Sequence, residues 1–291
     1  MNKKNNSIKS CTICGANNVE LKTITNWTKR YYEKKMDFII CNECKFVHAP
    51  SNQHSYRGGA AFSKTSQPNT STRVGNDRRP GREFFMAKTA VEILKRNEMK
   101  SLFYGSGLSV DYKWAKSLEG ITEVKITDIE NYQNSDYFIP LSEPRAFDII
   151  ICCEVIEHFD NPQKDFKTML SFLKPNGILV MSTNISDGKR LEILEYPFVP
   201  GHINYYSGAA LINLSNQLGY NCDFRVPECA MGTAGSRKRY VFIYKDTAVQ
   251  DGIHEFFAAH VMAYSESDTQ EKKTTNRKTI IKSWLLSLFK K

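Results

Sequence analysis

Two carboxylates and two imidazoles carry the first chemistry in this chain. Glu154, Glu157 and His158 close the run Phe147-Asp148-Ile149-Ile150-Ile151-Cys152-Cys153, and His202 follows in a later loop. Read as a helix, the i, i+3, i+4 spacing puts Glu154, Glu157 and His158 on one face. Such a set suits Mg²⁺, Mn²⁺ or Zn²⁺ with positions left open for a hydroxyl, whose pKa the ion would lower. Without an ion, an imidazole that titrates near neutral pH serves as general base. A structural reading stands beside both: the glutamates cap helices and His158 packs.

Four thiols carry the second chemistry. Cys11-x-x-Cys14 and Cys41-x-x-Cys44 are two knuckles that together supply a tetrahedral Zn²⁺ site. A closed Cys₄ site leaves no position for substrate, so its role is structural. Gly15 follows the first knuckle at a tight turn, and the alternation from Tyr31 to Ile40 suits strands of a zinc ribbon.

The third pattern is Ser101-Leu102-Phe103-Tyr104 running into Gly105-Ser106-Gly107, followed by Val124-Lys125-Ile126-Thr127-Asp128. A strand entering G-x-G lets a backbone approach a nucleotide closely, and an acid about 20 residues on suits ribose hydroxyls. Val110 stands where the dinucleotide fingerprint has its third glycine.

These residues need a frame. The apolar, β-branched run Phe147–Cys153 predicts a strand buried on both faces, delivering its side chains to the C-terminal edge of an open α/β sheet. Around it the sequence predicts a helix over 83–98 with Phe84, Ala87, Val91 and Leu94 on one stripe, a turn at Asn131–Ser135, and a short strand at Asp136–Leu141. A helix from Asp160-Asn161-Pro162, a turn at Pro175-Asn176-Gly177, a strand at Ile178–Thr183 and a helix Ala209–Leu218 come next. Cys222–Val226 and Tyr240–Tyr244 read as a closing antiparallel pair. The division is a zinc-ribbon module at 1–60, a linker or flap at 61–82, a main domain at 83–246 and a helical tail at 247–291. In the tail, Ile253–Tyr264 reads as a helix. Ile281, Trp284, Leu285, Leu288 and Phe289 form an apolar stripe suited to a membrane surface, a partner or the protein itself.

The chain has 291 residues, 41% hydrophobic, with formal net charge +9. Residues 1–100 hold 19 Lys and Arg against 8 Asp and Glu, a basic front that favours an anionic partner. Arg73, Arg78, Arg79 and Arg82 are its candidates for contact with substrate. No run of about 18 apolar residues and no signal-peptide pattern is visible, which gives a cytosolic expectation, or attachment to the inner face of the membrane through the tail.

The glycine turn, Asp128, the run from Phe147 to His158, and Leu173-Lys174-Pro175-Asn176-Gly177 leading into a strand resemble the class I S-adenosylmethionine-dependent methyltransferases over about residues 83–245. The Cys knuckles followed by Phe46-Val47-His48-Ala49-Pro50 look like the N-terminal module of a bacterial subset linked with sugar or glycan modification. The resemblance implies a Rossmann-like, seven-stranded, mostly parallel sheet with an antiparallel last strand. It implies S-adenosylmethionine at Gly105, Ser106, Gly107, Asp128 and Cys153, and a small acceptor such as a nucleotide sugar or glycan precursor. E-x-x-E-H with a later His looks like small-RNA 2′-O-methyltransferases and ubiquinone-pathway O-methyltransferases. Phe103 and Tyr104 stand where the family keeps an acid, and Phe138-Ile139-Pro140 offers no adenine contact. An RNA methyltransferase and a non-catalytic binding subunit are the other readings.

Overall fold

A computed structural model describes residues 10–53, 75–186, 188, 190–227 and 237–259. Arg73, the linker up to residue 74 and the apolar stripe at 281–289 lie outside the described residues. The chain divides into two compact units, residues 1–246 and 247–291. In the second unit, residues 247–259 are helical.

The first three strands are β1 (Val19–Thr25), β2 (Lys35–Cys41) and β3 (Val47–His48). Helix α1 (Arg82–Leu94) leads into β4 (Met99–Tyr104), α2 (Asp111–Ala115) and β5 (Ile121–Thr127). Then come β6 (Phe147–Cys153), α3 (Pro162–Leu170), β7 (Leu173–Asn184) and β8 (Asn204–Tyr205). Helix α4 (Gly208–Gln217), β9 (Asn221–Arg225) and β10 (Lys238–Tyr244) complete this unit.

The larger sheet has the order β5-β4-β6-β7-β10-β9. β5, β4, β6 and β7 are parallel neighbours, and β10 runs antiparallel to both β7 and β9. Every residue of β6 is buried, as a β-branched run in the middle of a parallel sheet must be. The sheet is Rossmann-like and mostly parallel, with its antiparallel strand where the closing pair was expected. It has six strands among the described residues, not seven. At the β5 edge, Asp136–Leu141 contributes only the parallel bridge Ile126–Phe138. The 19 residues between Asp128 and Asp148 are too few for a full crossover helix and strand.

Two local expectations change. Pro175-Asn176-Gly177 belongs to β7, where the register slips between Phe147↔Leu173 and Ile149↔Ile178. It is an irregularity within an interior strand rather than a turn. Helix α1 buries Glu83, Met86, Ala87, Ala90, Ile93 and Leu94, so the buried stripe is rotated from the expected one and Phe84 and Val91 lie at its margin. α3 starts as expected: the Asn161 side chain accepts from Lys164 N at 3.1 Å, with Pro162 in the first turn.

The second sheet has the order β1-β2-β3-β8. Its last strand comes from the loop after β7, through the antiparallel pairs Val47↔Tyr205 and His48↔Asn204. Ile24, Met36, Phe38, Val47 and Ala49 of the ribbon pack with Leu191, Leu194, Phe198 and Tyr205 of that loop in one apolar cluster.

Candidate functional site

The strand order reverses at β4: β5 lies on one side and β6 on the other. A crevice opens beyond the carboxyl ends of strands at such a point. Gly105 and Gly107 follow β4 with φ of +68° and +52°, left-handed values that glycine adopts without penalty. A Cβ on Gly105 would lie 2.6 Å from Cγ2 of Val155, so this turn backs directly onto the segment after β6. Asp128, just past β5, accepts from Gly107 N–H at 2.9 Å through one oxygen and from Ile129 N–H at 2.7 Å through the other. Burial raises its pKa against those two bonds. Gln133 ties the same turn from the other side, donating to Gly107 O at 3.0 Å and Ser109 O at 2.9 Å. Ser106 is buried within it. Cys153 ends β6 with its thiol 3.1 Å from Ser182 Oγ. Burial pushes that thiol up to about 12, so it is neutral at pH 7.

Arg82 opens α1 at this edge. Burial works against its charge, but Cys153, Glu154, Glu83 and Glu157 hold its pKa above the ordinary value. Its buried Nε has no hydrogen-bond partner among the described residues. The N-terminus of α1 is fixed by a residue far along the chain: Asp111 accepts from Gly81 N–H at 2.7 Å and from Glu83 N–H at 3.1 Å.

Beyond Cys153 the expected helix does not form. Glu154 has φ of +56°, and only a 3-10 turn, Ile156–His158, follows. The kink separates the residues that a helix would have aligned. Glu154 turns to Lys238 Nζ at 2.5 Å and to Ser182 Oγ at 2.8 Å. Burial would raise its pKa, but Lys238 and Arg82 keep it below the usual carboxylate value. Glu154 is thus an ion-paired wall and not part of the cluster that gathers beside it.

That cluster is Glu157, His158 and His202, whose ligand atoms all lie within 4.8 Å of one another. His158 Nδ1 lies 2.8 Å from Gly201 O, and His202 Nδ1 lies 2.8 Å from Tyr196 O. A carbonyl only accepts, so each Nδ1 carries a proton and each neutral ring keeps its lone pair on Nε2. The ring centroids are 4.9 Å apart. Burial, then His158, pushes His202 down to about 3, so it is neutral at working pH. Glu157 is fully buried, and its Oε1 accepts from the Tyr196 hydroxyl at 2.8 Å. Its Oε2 is buried without a partner among the described residues, and burial, then Glu154, lifts the carboxyl to about 8. Tyr196 also lies 2.8 Å from Thr183 Oγ1. It lines an opening of about 200 Å³ with Asn184, Glu195, Tyr205 and Arg237. Tyr196 carried no sequence signal, because only the folded loop after β7 brings it to Glu157.

The thiols gather at the far end of the ribbon. Cys11 and Cys44 Sγ are 3.7 Å apart, and Cys14 and Cys41 Sγ 3.6 Å. Zn–S bonds of about 2.3 Å in a tetrahedron put sulfurs about 3.8 Å apart, so these four side chains fit one zinc ion. Gly15 and Lys45, one residue past each knuckle, have φ of +74° and +58°, and each N–H donates back to the carbonyl of the first Cys of its knuckle. Arg78 and Arg79 are exposed in the turn before α1, apart from both clusters.

Comparison with known proteins places similarity in the same part of the chain. A family model described as a methyltransferase domain matches residues 79–223. A ubiquinone biosynthesis O-methyltransferase of Rickettsia prowazekii is 30% identical over 97 residues, 33% of this chain and 30% of that one. The protein of the same name from Coxiella burnetii is 42% identical over 53 residues, 18% and 23% of the two chains. The match thus spans less than a third of the length of these curated relatives. Among solved structures, a 1,6-didemethyltoxoflavin-N1-methyltransferase of Burkholderia thailandensis with S-adenosylhomocysteine bound superposes with a TM-score of 0.41. It is 18% identical, and the match covers 54% of this chain and 75% of that one.

Proposed function

The chain belongs to the S-adenosylmethionine-dependent methyltransferases, and we propose that it methylates a hydroxyl group of a small acceptor at Glu157, His158 and His202. The observation that supports this reading is the convergence of Glu157, His158 and His202, one ligand atom of each within 4.8 Å of the others, with both ring Nδ1 atoms facing backbone carbonyls. The Gly105–Gly107 turn and Asp128 fit the cofactor: a backbone that a Cβ would crowd, and a half-buried acid beside it. Asp128 would hold the ribose, and Cys153 would line the cofactor as a small neutral wall. Arg82 Nε, without a hydrogen-bond partner among the described residues, suits a carboxylate of cofactor or acceptor. S-adenosylmethionine supplies an electrophilic methyl group on a sulfonium.

The chain's own groups do the rest. His158 Nε2 would take the acceptor hydroxyl's proton, so that the oxygen could receive the methyl group while its bond to the sulfonium breaks and the neutral thioether S-adenosylhomocysteine leaves. His202, held near 3, is too weak a base for that step and orients the hydroxyl as an acceptor of hydrogen bonds. The same three side chains fit a divalent ion. Two imidazoles and one carboxylate favour Mn²⁺ or Zn²⁺ over Mg²⁺, and such an ion would lower the hydroxyl's pKa. The four thiols are read as holding a structural zinc. The opening beside Tyr196 is the acceptor's entry.

A sugar or glycan precursor is the first acceptor class; a hydroxyl of a quinone precursor is the second, suggested by the relatives' names, which speak of ubiquinone biosynthesis. The test is methyl transfer from labelled cofactor to panels of nucleotide sugars and of catechols, with and without chelator. Labelled product in either panel supports the reading. Chelation that stops turnover, reversed by Mn²⁺, assigns a divalent ion. No product from any hydroxyl, with the cofactor bound, overturns O-methylation.

A further inference from the structure

The stretch Phe46–Pro50 and the Asn52 that follows it sit outside the reaction described above, yet they touch the loop that carries it. Asn52, in the 3-10 turn Pro50–Asn52, is 7% exposed. Its side-chain amide donates to Val199 O at 2.7 Å, to His202 O at 3.1 Å and, more weakly, to Pro197 O at 3.4 Å. Its backbone carbonyl accepts from Gly201 N–H at 2.9 Å. Gly201 is therefore gripped at both ends, because its carbonyl accepts from His158 Nδ1. Gly201 has φ of +86°, a conformation that favours glycine and so needs no side chain to fix it. One residue of the ribbon thus reaches the carbonyl of one site histidine directly, and the carbonyl that fixes the other through Gly201.

We infer that Asn52 is a positioning residue that sets the orientation of His158 and His202 from outside the methyltransferase domain. Three carbonyls converge on its amide, and no apolar or acidic side chain of that size can replace the donors. A carboxylate would face them with like partial charge, and a methyl group would leave them buried and unpaired. The neighbouring contacts show the same division of labour. β3 pairs with β8 on the far side of the loop, His48 Nδ1 lies 3.0 Å from Asn204 Oδ1, and Asn204 Nδ2 donates to Phe159 O at 2.7 Å. Lys34 Nζ donates to Phe198 O at 3.1 Å, holding the same loop without touching Gly201 or His202.

The inference rests on the reading of His158 and His202 as the acceptor site, so it is tested without an acceptor. Histidine labelled with ¹⁵N in the full chain reports which ring nitrogen carries the proton, with signals assigned by His158→Gln and His202→Gln. In Asn52→Ala and Asn52→Ser, the His202 ring, whose own carbonyl loses its donor, is expected to move furthest from the pure Nδ1–H form to a mixture of tautomers, and the His158 ring is expected to follow as the loop at 196–203 loosens. Amide exchange over residues 196–203 is expected to rise at least tenfold. S-adenosylhomocysteine affinity should stay within twofold and zinc content should be unchanged. Lys34→Met, the control, should leave the ring signals in place. Wild-type ring signals in a folded Asn52→Ala protein overturn the inference, as does an equal change in Lys34→Met. Failure of both Asn52 variants to fold assigns the residue to stability alone and overturns it too. A wild type that methylates nothing removes the acceptor reading while leaving the ring signals to decide this one.

Discussion

The cluster of Cys11, Cys14, Cys41 and Cys44 and the cluster of Glu157, His158 and His202 are the two groups of converging donor atoms among the described residues, and they are built in opposite ways. The thiols come as two local pairs, each shaped by its own left-handed turn, and four soft donors close on one point. The histidines come from separate loops, and each takes its orientation from a backbone carbonyl elsewhere. Their third member keeps one carboxylate oxygen without a partner. A closed set contributes folding energy, and an open set leaves room for chemistry. The open set is also held in part by the element that the closed set stabilises, because ribbon residues and the loop at 191–205 share one apolar cluster.

The contrast can be broken most directly at the thiols. Zinc binding to a Cys₄ site is worth about 10–16 kcal/mol in small peptides, and that is folding energy. Cys44→Ser should lose zinc, measured by elemental analysis, and melt well below wild type. Amide exchange over 191–205 should rise with it. A Cys44→Ser protein that keeps its zinc and its melting temperature would remove the structural role. At the open cluster the expected effect is on rate and not on folding. His158→Ala should lower turnover by about 10²–10⁴, the usual loss of a general base, with melting temperature and cofactor affinity close to wild type. Near-normal turnover would take His158 out of the reaction.

The same contrast explains what the sequence could reveal. The knuckles were legible because their geometry is local: two residues between thiols and a turn after them. The glycine turn and Asp128 were legible as strand-turn-strand punctuation, and Phe147–Cys153 as a buried parallel strand. Glu154 was misplaced because a left-handed residue after the strand replaces the helix that periodicity assumes. Asp111 caps a helix about 30 residues before it, Tyr196 reaches Glu157 across a loop, and Asn52 meets residues about 150 positions away. None of these has a local pattern, since tertiary placement alone decides them.

A smaller effect is expected at the glycine turn. Asp128 accepts from Gly107 and Ile129, so it shapes the turn, and under the proposed function it would hold the ribose hydroxyls. Charge-assisted hydrogen bonds are worth about 1.5–3 kcal/mol each. Asp128→Ala should therefore weaken cofactor binding at least tenfold in titration calorimetry. Zinc content and the histidine ring signals should be untouched, which separates this site from both clusters. Undiminished affinity would remove Asp128 from the cofactor site.

The smallest effect concerns Glu83, which sharpens what is special about Glu157. Both are fully or nearly fully buried, and both have an Oε2 without a partner among the described residues. Both are pushed up to about 8, but among the described residues only Glu157 has imidazoles within ligand distance. For Glu83 the causes are burial and then Asp111, opposed by Ser109 and Arg82. Its folded pKa lies above its ordinary 4.5, so the folded chain holds this proton more tightly than the unfolded one. The resulting stability is fully present below pH 4.5 and is lost as pH rises through 8. Glu83→Gln cannot titrate, so its melting temperature should gain on wild type across that window and run parallel to it outside. The gain should be at least a few degrees, because a carboxyl lifted by one pKa unit is worth about 1.4 kcal/mol and about 1 kcal/mol moves the melting point of a large domain by about 2–4 °C. Thermal melts of both proteins from pH 4 to pH 9 measure it. Curves that stay parallel from pH 4.5 to 8 would show that Glu83 is ionised in the folded chain, held by Arg82 strongly enough to outweigh its burial.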